Sequence, residues 1–510
     1  MLAYYQKHPL RFILLCAIFV RLISAVFSIG YGFHDDHFLV IEVSEQWTQH
    51  LNLRGWLPSA EVTTPSGHNF LYPGLHYILF LVLNALGIVD PEIKMLIVRI
   101  LHAFYSTLTV YFSFLIVAKL SGLKAAKTVG LILAFLWCLP MLSVRNLVEM
   151  ACMPTLVMAT WLTLKADEKE QKNLMFAAGL MAGLAFSFRF QTITFIGGMV
   201  GALWLQQKWS KGFLLGVGAL VSITIVQCSV DLPLWGRPFA EFLEYSLYNL
   251  DNATNYINGP WYNYLLLMAG LLIPPVSFMV FRGMFESRKT YLLVVLPALL
   301  FFIFHSSYPN KQERFILPVI PFFVMAGVAG WYKLTESSAY WLKHEKLHQN
   351  LWKTFWVLNT ILLIVLTPSS TKTSRVKAMS YLYKKECKGA FLIENSNTGR
   401  DIAMPQFYLS AYKPYYQINE DHHAEEVLQR IVNDTLPRPE YVIFAEERNL
   451  EKREQALKQF MPNITFEAAI PSSYLDRVMS WLNPVNVNQT YYIYKVNSPE
   501  ILVPDTAVVN

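Results

Sequence analysis

Apolar positions in this chain run in long blocks. Eleven blocks, at 12–31, 96–118, 128–144, 150–164, 174–188, 192–206, 212–230, 262–281, 290–307, 315–332 and 354–367, have the character of bilayer-crossing helices, each of which needs about 20 mostly apolar residues. A further run, 71–89 (LYPGLHYILFLVLNALGIV), fits either a crossing or a re-entrant or interfacial helix. The basic residues arbitrate, because Lys and Arg concentrate in cytoplasmic loops. With 71–89 held back from crossing, one face collects Lys7, Arg11, Lys119, Lys124, Lys127, Lys165, Lys169, Lys172, Lys208, Lys211, Arg282, Arg288, Lys289, Lys333, Lys343, Lys346 and Lys353. Letting it cross would move every later cluster to the other side while the N-terminus stayed inside. The pattern therefore predicts an all-α polytopic membrane part over 1–368, with about eleven spans and a re-entrant 71–89.

Beyond 368 the pattern changes. Short apolar runs such as AFLIE (390–394) and EYVIFAEE (440–447), with an amphipathic stretch at 421–432, predict a small α/β domain over 369–510 on the external face. The same topology puts the loop 32–70, Arg145–Glu149, Phe188–Gln191, the loop 231–261 and Ser306–Arg314 on that face.

Composition supports the membrane reading. Apolar residues are 54% and charged residues 15% of 510, against roughly 25% charged in soluble domains. A wholly soluble or a disordered chain is excluded. The net charge of +6 belongs to inside loops rather than to nucleic-acid binding. Lys7 and Arg11 precede a run too long for a signal peptide, with no convincing cleavage site, so it reads as an uncleaved first span. Cys16, Cys138, Cys152 and Cys228 lie in apolar segments, and with Cys387 they make no disulfide framework. Asn252, Asn433, Asn463 and Asn488 open N-x-S/T sequons, all on the predicted external side.

The external segments hold the candidate chemistry. The first loop begins GFHDDHFLVIEVSEQW (32–47). Leu39, Val43 and Trp47 recur at helical spacing opposite Glu42, Glu45, Gln46 and Gln49, predicting an amphipathic helix along the surface that starts at Asp35 and Asp36. One of these aspartates could cap that helix. Alternatively, one could have a raised pKa and act as a general base. His34 and His37 are surface polar residues or metal ligands, and no second ligand cluster supports a metal. Lys311 and Arg314, in HSSYPNKQERFILPVIPFF (305–323), are interfacial anchors or a clamp for an anionic leaving group. Arg145 and Glu149 (SVRNLVEM) have the i, i+4 spacing of a helix ion pair. Arg189 and Gln191 (FSFRFQT) form a fourth patch, and Arg21 sits in mid-span with no evident partner. The aromatic loop 231–262, ending in PWY with Trp261, fits an interfacial belt or a stacking surface for sugar rings.

Taken in order, these segments resemble a known family. An acidic pair after the first span, FLYPG (70–74), R-x-x-x-E, FRFQT, a D…G…PWY loop and NKQERFILPVIP are similar to the lipid-phosphate-mannose-dependent α-mannosyltransferases. That family includes the third mannosyltransferase of GPI-anchor assembly and the enzymes of N-glycan precursor assembly. The resemblance runs through roughly the first 335 residues. The family's first-loop pattern is approximately H-P-D-E with a further Glu. Matching that Glu to Glu42 puts Asp35 on the catalytic Asp; matching the His to His34 puts Asp36 there and His37 on the Glu. The first match keeps both acids and favours Asp35. In the later H-K-E-x-R-F-x-x-P pattern Asn310 replaces the His, while Lys311, Arg314, Phe315 and Pro318 match.

The resemblance implies an inverting transfer of a sugar, mannose above all, from a polyprenyl-phosphate donor to a glycolipid or glycan hydroxyl on the external face. Asp35 or Asp36 would be the base, Lys311 and Arg314 would hold the donor phosphate, and His34, His37, Glu42, Arg145, Glu149, Arg189 and Trp261 would bind substrate. No cofactor or metal is expected. The alternatives are a lipid-oligosaccharide flippase, or a related transferase for another lipid-linked sugar. A flippase should show midplane polar residues and paired repeats, whereas here the polar residues cluster on one face and a large external domain follows. The absence of an endoplasmic-reticulum retrieval signal favours a bacterial inner membrane, with the endoplasmic reticulum as the alternative.

Overall fold

The computed structural model describes residues 2–50, 65, 68–256, 258–483, 488–498 and 500–502. The stretches 51–64 and 66–67 of the first external loop lie outside the described residues. Every predicted apolar run falls on helix, including 71–89 as Leu71–Ala85. Among the described residues, five helices are long and apolar enough to cross a membrane. They are Pro9–Phe27, Pro91–Phe135, Trp209–Trp235, Glu313–Ser337 and Glu345–Leu366. Asn263–Leu271 and Val276–Ser287 pass the same test only as a pair, bent by 112°. Leu71–Ala85, Lys172–Phe188, Phe190–Leu205 and Leu292–Ser307 are apolar but shorter. Helix length and run-counting thus give different numbers, because several runs are broken or shortened and the 45-residue Pro91–Phe135 is interrupted at Gly122.

The chain folds as two compact units, each discontinuous in sequence. The first comprises Met1–Phe27, Leu51–Ile78 and Ile97–Pro368. Several of its buried polar side chains serve helix ends, where carbonyls lack intrahelical partners. Arg21 finds its partners there: its guanidinium donates to Leu133 O (3.1 Å) and Ala134 O (3.2 Å), in the last turn of Pro91–Phe135, and to Ser106 Oγ (3.1 Å). A cation at a helix C-terminus is also favoured by the helix dipole. Arg99 Nε donates to Ala25 O in the same way, at 2.7 Å. Asn359 closes the break after Phe135, donating to its carbonyl (2.7 Å) and accepting the Trp137 N–H (3.0 Å). Small residues let helices touch: a Cβ on Gly283 would fall 1.9 Å from Gly327 O, the close approach typical of membrane helix pairs.

The second unit comprises Ser28–His50, Leu79–Leu96 and Ser369–Asn510. Its sheet has β1 (Ala390–Glu394), β2 (Tyr415–Ile418), β3 (Pro439–Ala445), β4 (Ile464–Ile470) and β5 (Tyr491–Val496), in the order β2-β1-β3-β5-β4. β1 pairs parallel with β2 and β3; β5 runs antiparallel to β3 and β4. All of AFLIE is buried, as expected of a strand covered on both faces. The helices Ala424–Asn433 and Leu450–Lys458 pack on one face, where Leu428, Ile431 and Leu457 join Leu392, Val442 and Phe444 in one core.

The first loop is built into this unit and is not the surface helix that its pattern predicts. It forms a short helix, His34–His37, a π-turn, Phe38–Glu42, and a helix, Val43–Gln49. Val43 and Trp47 are buried as the pattern requires, but so are the opposite acids Glu42 and Glu45. Each acid meets a partner far along the chain. Both Glu42 oxygens accept the Phe407 N–H at 2.9 Å, and Glu45 takes Lys94 Nζ at 2.8 and 3.0 Å. Such compensation makes burial of a carboxylate tolerable. Gly30, at φ 92°, lies so close to Thr371 that a Cβ would sit 1.7 Å from its carbonyl oxygen.

Candidate active-site residues

In the first unit, the patches around 145, 189 and 311 converge. Lys172–Phe188 ends at Arg189, whose extended backbone (φ −150°, ψ 110°) turns the chain into the short Phe190–Thr192 helix. The Arg189 guanidinium pairs with Glu149 Oε1, and Arg314 Nε approaches the same oxygen at 3.8 Å. Both guanidinium groups lie over the Phe315 ring, at 4.9 and 5.7 Å. Arg189 is 5% exposed and Glu149 fully buried. Among the described residues, Arg189 Nε and Nη2 have no hydrogen-bond partner.

This arrangement corrects the helix ion pair expected for Arg145 and Glu149. The helix starts at Val148, so Arg145 lies before it and the i, i+4 geometry does not exist. Glu149 instead holds cations 40 and 165 positions on. Lys311 is buried, and its ammonium donates to the carbonyls of His305 (3.0 Å), Ser306 (2.9 Å) and Tyr308. With three donors on an ammonium, Lys311 fixes the 305–311 turn and contributes charge more than directional hydrogen bonds. Burial pushes its pKa below the usual lysine value. Arg314 Nε also donates to Gln312 Oε1 at 3.0 Å. Trp261 is 70% exposed, in the turn before Asn263–Leu271.

In the second unit, the two aspartates have different environments. Asp36 is buried and accepts the Gly32 N–H (3.1 Å) and the Phe33 N–H (2.8 Å), closing the helix start. Asp35 is half-buried and His34, stacked on Phe38 at 4.4 Å, is exposed. His37 is a core residue: its ring lies between Tyr31 (4.6 Å) and Tyr408 (5.7 Å), with Nε2 3.0 Å from Glu42 Oε1. Among the described residues, no three His, Cys, Asp or Glu side chains gather as metal ligands.

Comparison with known proteins places the chain. The family model described as "Alg9-like mannosyltransferase family" matches residues 12–392. The chain belongs to the Alg9-like mannosyltransferase family. Human α-1,2-mannosyltransferase ALG9 is 23% identical over 210 residues, covering 38% of this chain and 34% of the relative; the mouse protein is 23% identical over 203 residues, 36% and 33%. The alignment thus spans about a third of these relatives' length. Among solved structures, ArnT from Cupriavidus metallidurans bound to undecaprenyl phosphate has TM-score 0.61 at 14% identity, covering 96% of this chain and 98% of its own. The Archaeoglobus fulgidus oligosaccharyltransferase in complex with Zn and sulfate has TM-score 0.53 at 11% identity, covering 91% and 72%. At 11–14% identity, these structural likenesses show a shared fold.

For this member of the Alg9-like family, one buried pair was not singled out from the sequence. Asp231 and Glu241 flank the turn after Trp209–Trp235, and both are fully or almost fully buried. Asp231 Oδ1 faces the Glu241 N–H at 3.4 Å, and Glu241 Oε2 accepts the Phe70 N–H at 3.0 Å, tying FLYPG to the aromatic loop. Burial, followed by the charge of Asp231, pushes the Glu241 carboxyl up to about 8. Two acids within ten residues of an otherwise aromatic stretch were the available signal. Tyr245 was also missed; it meets the Gln191 amide beside Arg189.

Proposed function

We propose that this protein transfers a sugar, mannose in the reading its family favours, from a polyprenyl-phosphate donor to a hydroxyl of a glycolipid or lipid-linked glycan on the external face. The observation that carries the reading is the buried Arg189 guanidinium. Its Nε and Nη2 have no hydrogen-bond partner among the described residues, and it shares the Glu149 carboxylate with Arg314. Buried cations are costly without anionic partners. A phosphodiester leaving as a phosphomonoester is such a partner, and the planar fork of Arg suits it. Arg189 and Arg314 would hold the phosphate, with Lys311 adding charge and Glu149 setting the orientation of the guanidinium groups. The ArnT structure of this fold holds undecaprenyl phosphate, which fits a donor of that class.

In this proposal Asp35 is the general base, the assignment implied by the match that keeps both acids of the family's first-loop pattern; Asp36 accepts two backbone N–H groups at the helix start. It takes the proton of the acceptor hydroxyl as the oxygen attacks the sugar C1 from the face opposite the phosphate. The C1–O bond to phosphate breaks with inversion, and the phosphate leaves as an anion without needing a proton. Segment 1–368 acts as the transferase domain and 369–510 as its external partner domain. Trp261 offers an exposed ring for a sugar face. The test is purified protein with synthetic polyprenyl-phosphate β-mannose and a panel of glycolipid acceptors, with the anomer of the product read by NMR. An α-linked product made by the wild type and not by Asp35→Asn is expected. Turnover by Asp35→Asn at the wild-type rate removes Asp35 as base, and a β-linked product removes inversion.

A further inference from the structure

We propose that His305 reads the transferred sugar, its Nε2 accepting a hydrogen bond from the C2 hydroxyl next to the phosphate held by Arg189. The inference rests on the transferase reading above and deepens it by naming a specificity-determining residue.

The partner of one ring nitrogen decides the role of the other. His305 lies in the last turn of Leu292–Ser307 and is 4% exposed. Its Nδ1 is 2.9 Å from Phe301 O. A carbonyl oxygen only accepts, so Nδ1 carries the hydrogen, and in the neutral ring Nε2 is an acceptor. An imidazolium here would be a further cation beside Lys311, whose Nζ is 3.0 Å from His305 O, and Arg189, which borders the same Phe315 ring. Among the described residues, Nε2 has no hydrogen-bond partner. The rings of Phe301 (4.1 Å), Phe304 (5.3 Å) and Phe315 (6.0 Å) pack against the imidazole. A buried acceptor in such apolar surroundings costs free energy until a donor reaches it.

The same place leaves opposite groups unanswered. The Arg189 guanidinium lies 4.9 Å from the centre of the Phe315 ring, with donors to spare at Nε and Nη2. A phosphodiester offers acceptors only, so it satisfies Arg189 and leaves the His305 lone pair as it was. A sugar phosphate offers both kinds of group. Its phosphate is bonded to C1, so covalent structure puts the C2 hydroxyl closest to the phosphate held by Arg189. A hydrogen bond to that hydroxyl strengthens as positive charge develops at C1 in glycosyl transfer. A site arranged to bond a substrate hydroxyl also rejects the analogue that lacks it, because its own polar group is then left buried and unpaired.

The test measures kcat/KM for full-length wild type, His305→Leu and His305→Gln with three donors: polyprenyl-phosphate mannose and its 2-deoxy and 6-deoxy analogues. Comparing one donor pair across enzymes cancels the intrinsic reactivity of each sugar. The preference for mannose over the 2-deoxy donor should be at least about tenfold greater in the wild type than in His305→Leu. Gln can set its Oε1 where Nε2 lay, so His305→Gln should keep an intermediate preference. The preference over the 6-deoxy donor should be the same in all three enzymes. A thermal melt checks folding, and if His305→Leu does not fold, His305→Phe, which keeps a ring against Phe301 and Phe315, replaces it. Equal 2-deoxy preferences in folded wild type and variant overturn the proposal. So does a variant that slows all three donors alike, the mark of a structural role or of a lone pair answered by water, and so does a change confined to the 6-deoxy preference. A wild type that transfers from none of the three donors overturns the transferase reading and this inference with it, whereas transfer with equal preferences overturns the inference alone.

Discussion

At the scale of single residues, the polar side chains divide by what their neighbours leave undone. Asp36 closes a turn and Glu42 holds a backbone N–H, so replacing either should cost stability before activity. Asp35 is expected to behave the other way. Asp35→Asn should lower turnover by about a hundredfold or more, the usual scale of general-base catalysis, measured on protein whose thermal melt shows it folded. Arg189→Ala removes charge-assisted hydrogen bonds worth roughly 1.5–3 kcal/mol each, so the KM for donor should rise about tenfold or more in steady-state kinetics. Glu241 gives a pH prediction. Its pKa is raised to about 8 in the folded state against an ordinary value of 4.5. The stability it contributes is therefore fully present below about 4.5 and is lost as pH rises through about 8. Glu241→Gln should flatten the fall in melting temperature between pH 5 and pH 9; an unchanged slope would assign that fall to other groups.

At the scale of elements, packing decides what periodicity leaves open. The Val276–Ser287 and Ile320–Ser337 helices meet through Gly283, Gly327 and Gly330. A Cβ at Gly283 has no room against the Gly327 carbonyl, so Gly283→Ala should destabilise by about 1–3 kcal/mol, the range for overpacking. Thermal unfolding in detergent would show it as a lower melting temperature, and Gly197→Ala, where a Cβ meets nothing within 4 Å, is the control. The helix after Asp35 shows the limit of pattern reading. Its apolar stripe was legible as Leu39, Val43 and Trp47, but a stripe predicts burial of one side only. Glu42 and Glu45 are buried because Phe407 and Lys94 come to meet them, and neither partner is near in sequence. Arg145 and Glu149 fail for the opposite reason: their spacing is helical, but the helix begins between them.

At the scale of the whole molecule, the charge asymmetry of the loops makes a sidedness prediction. In a background lacking the five native cysteines, a membrane-impermeant maleimide applied from outside should label Cys placed at Thr254 or His422, both exposed, and spare Cys at Lys124. Labelling of the last would invert the topology and remove an external site. The apolar blocks, the helical membrane part and the α/β character of the tail were determined by the sequence alone, since burial in lipid or in a two-sided sheet is written into local runs of residue type. The ordered motifs also pointed to the family. Three matters were decided only by tertiary structure: the convergence of Arg189 and Arg314 on Glu149, the saturation of Lys311 by carbonyls, and the joining of the 28–50 segment to the C-terminal sheet in one unit. Each depends on which distant groups share a buried space. The energy of a buried charge is set by those partners, not by its neighbours along the chain.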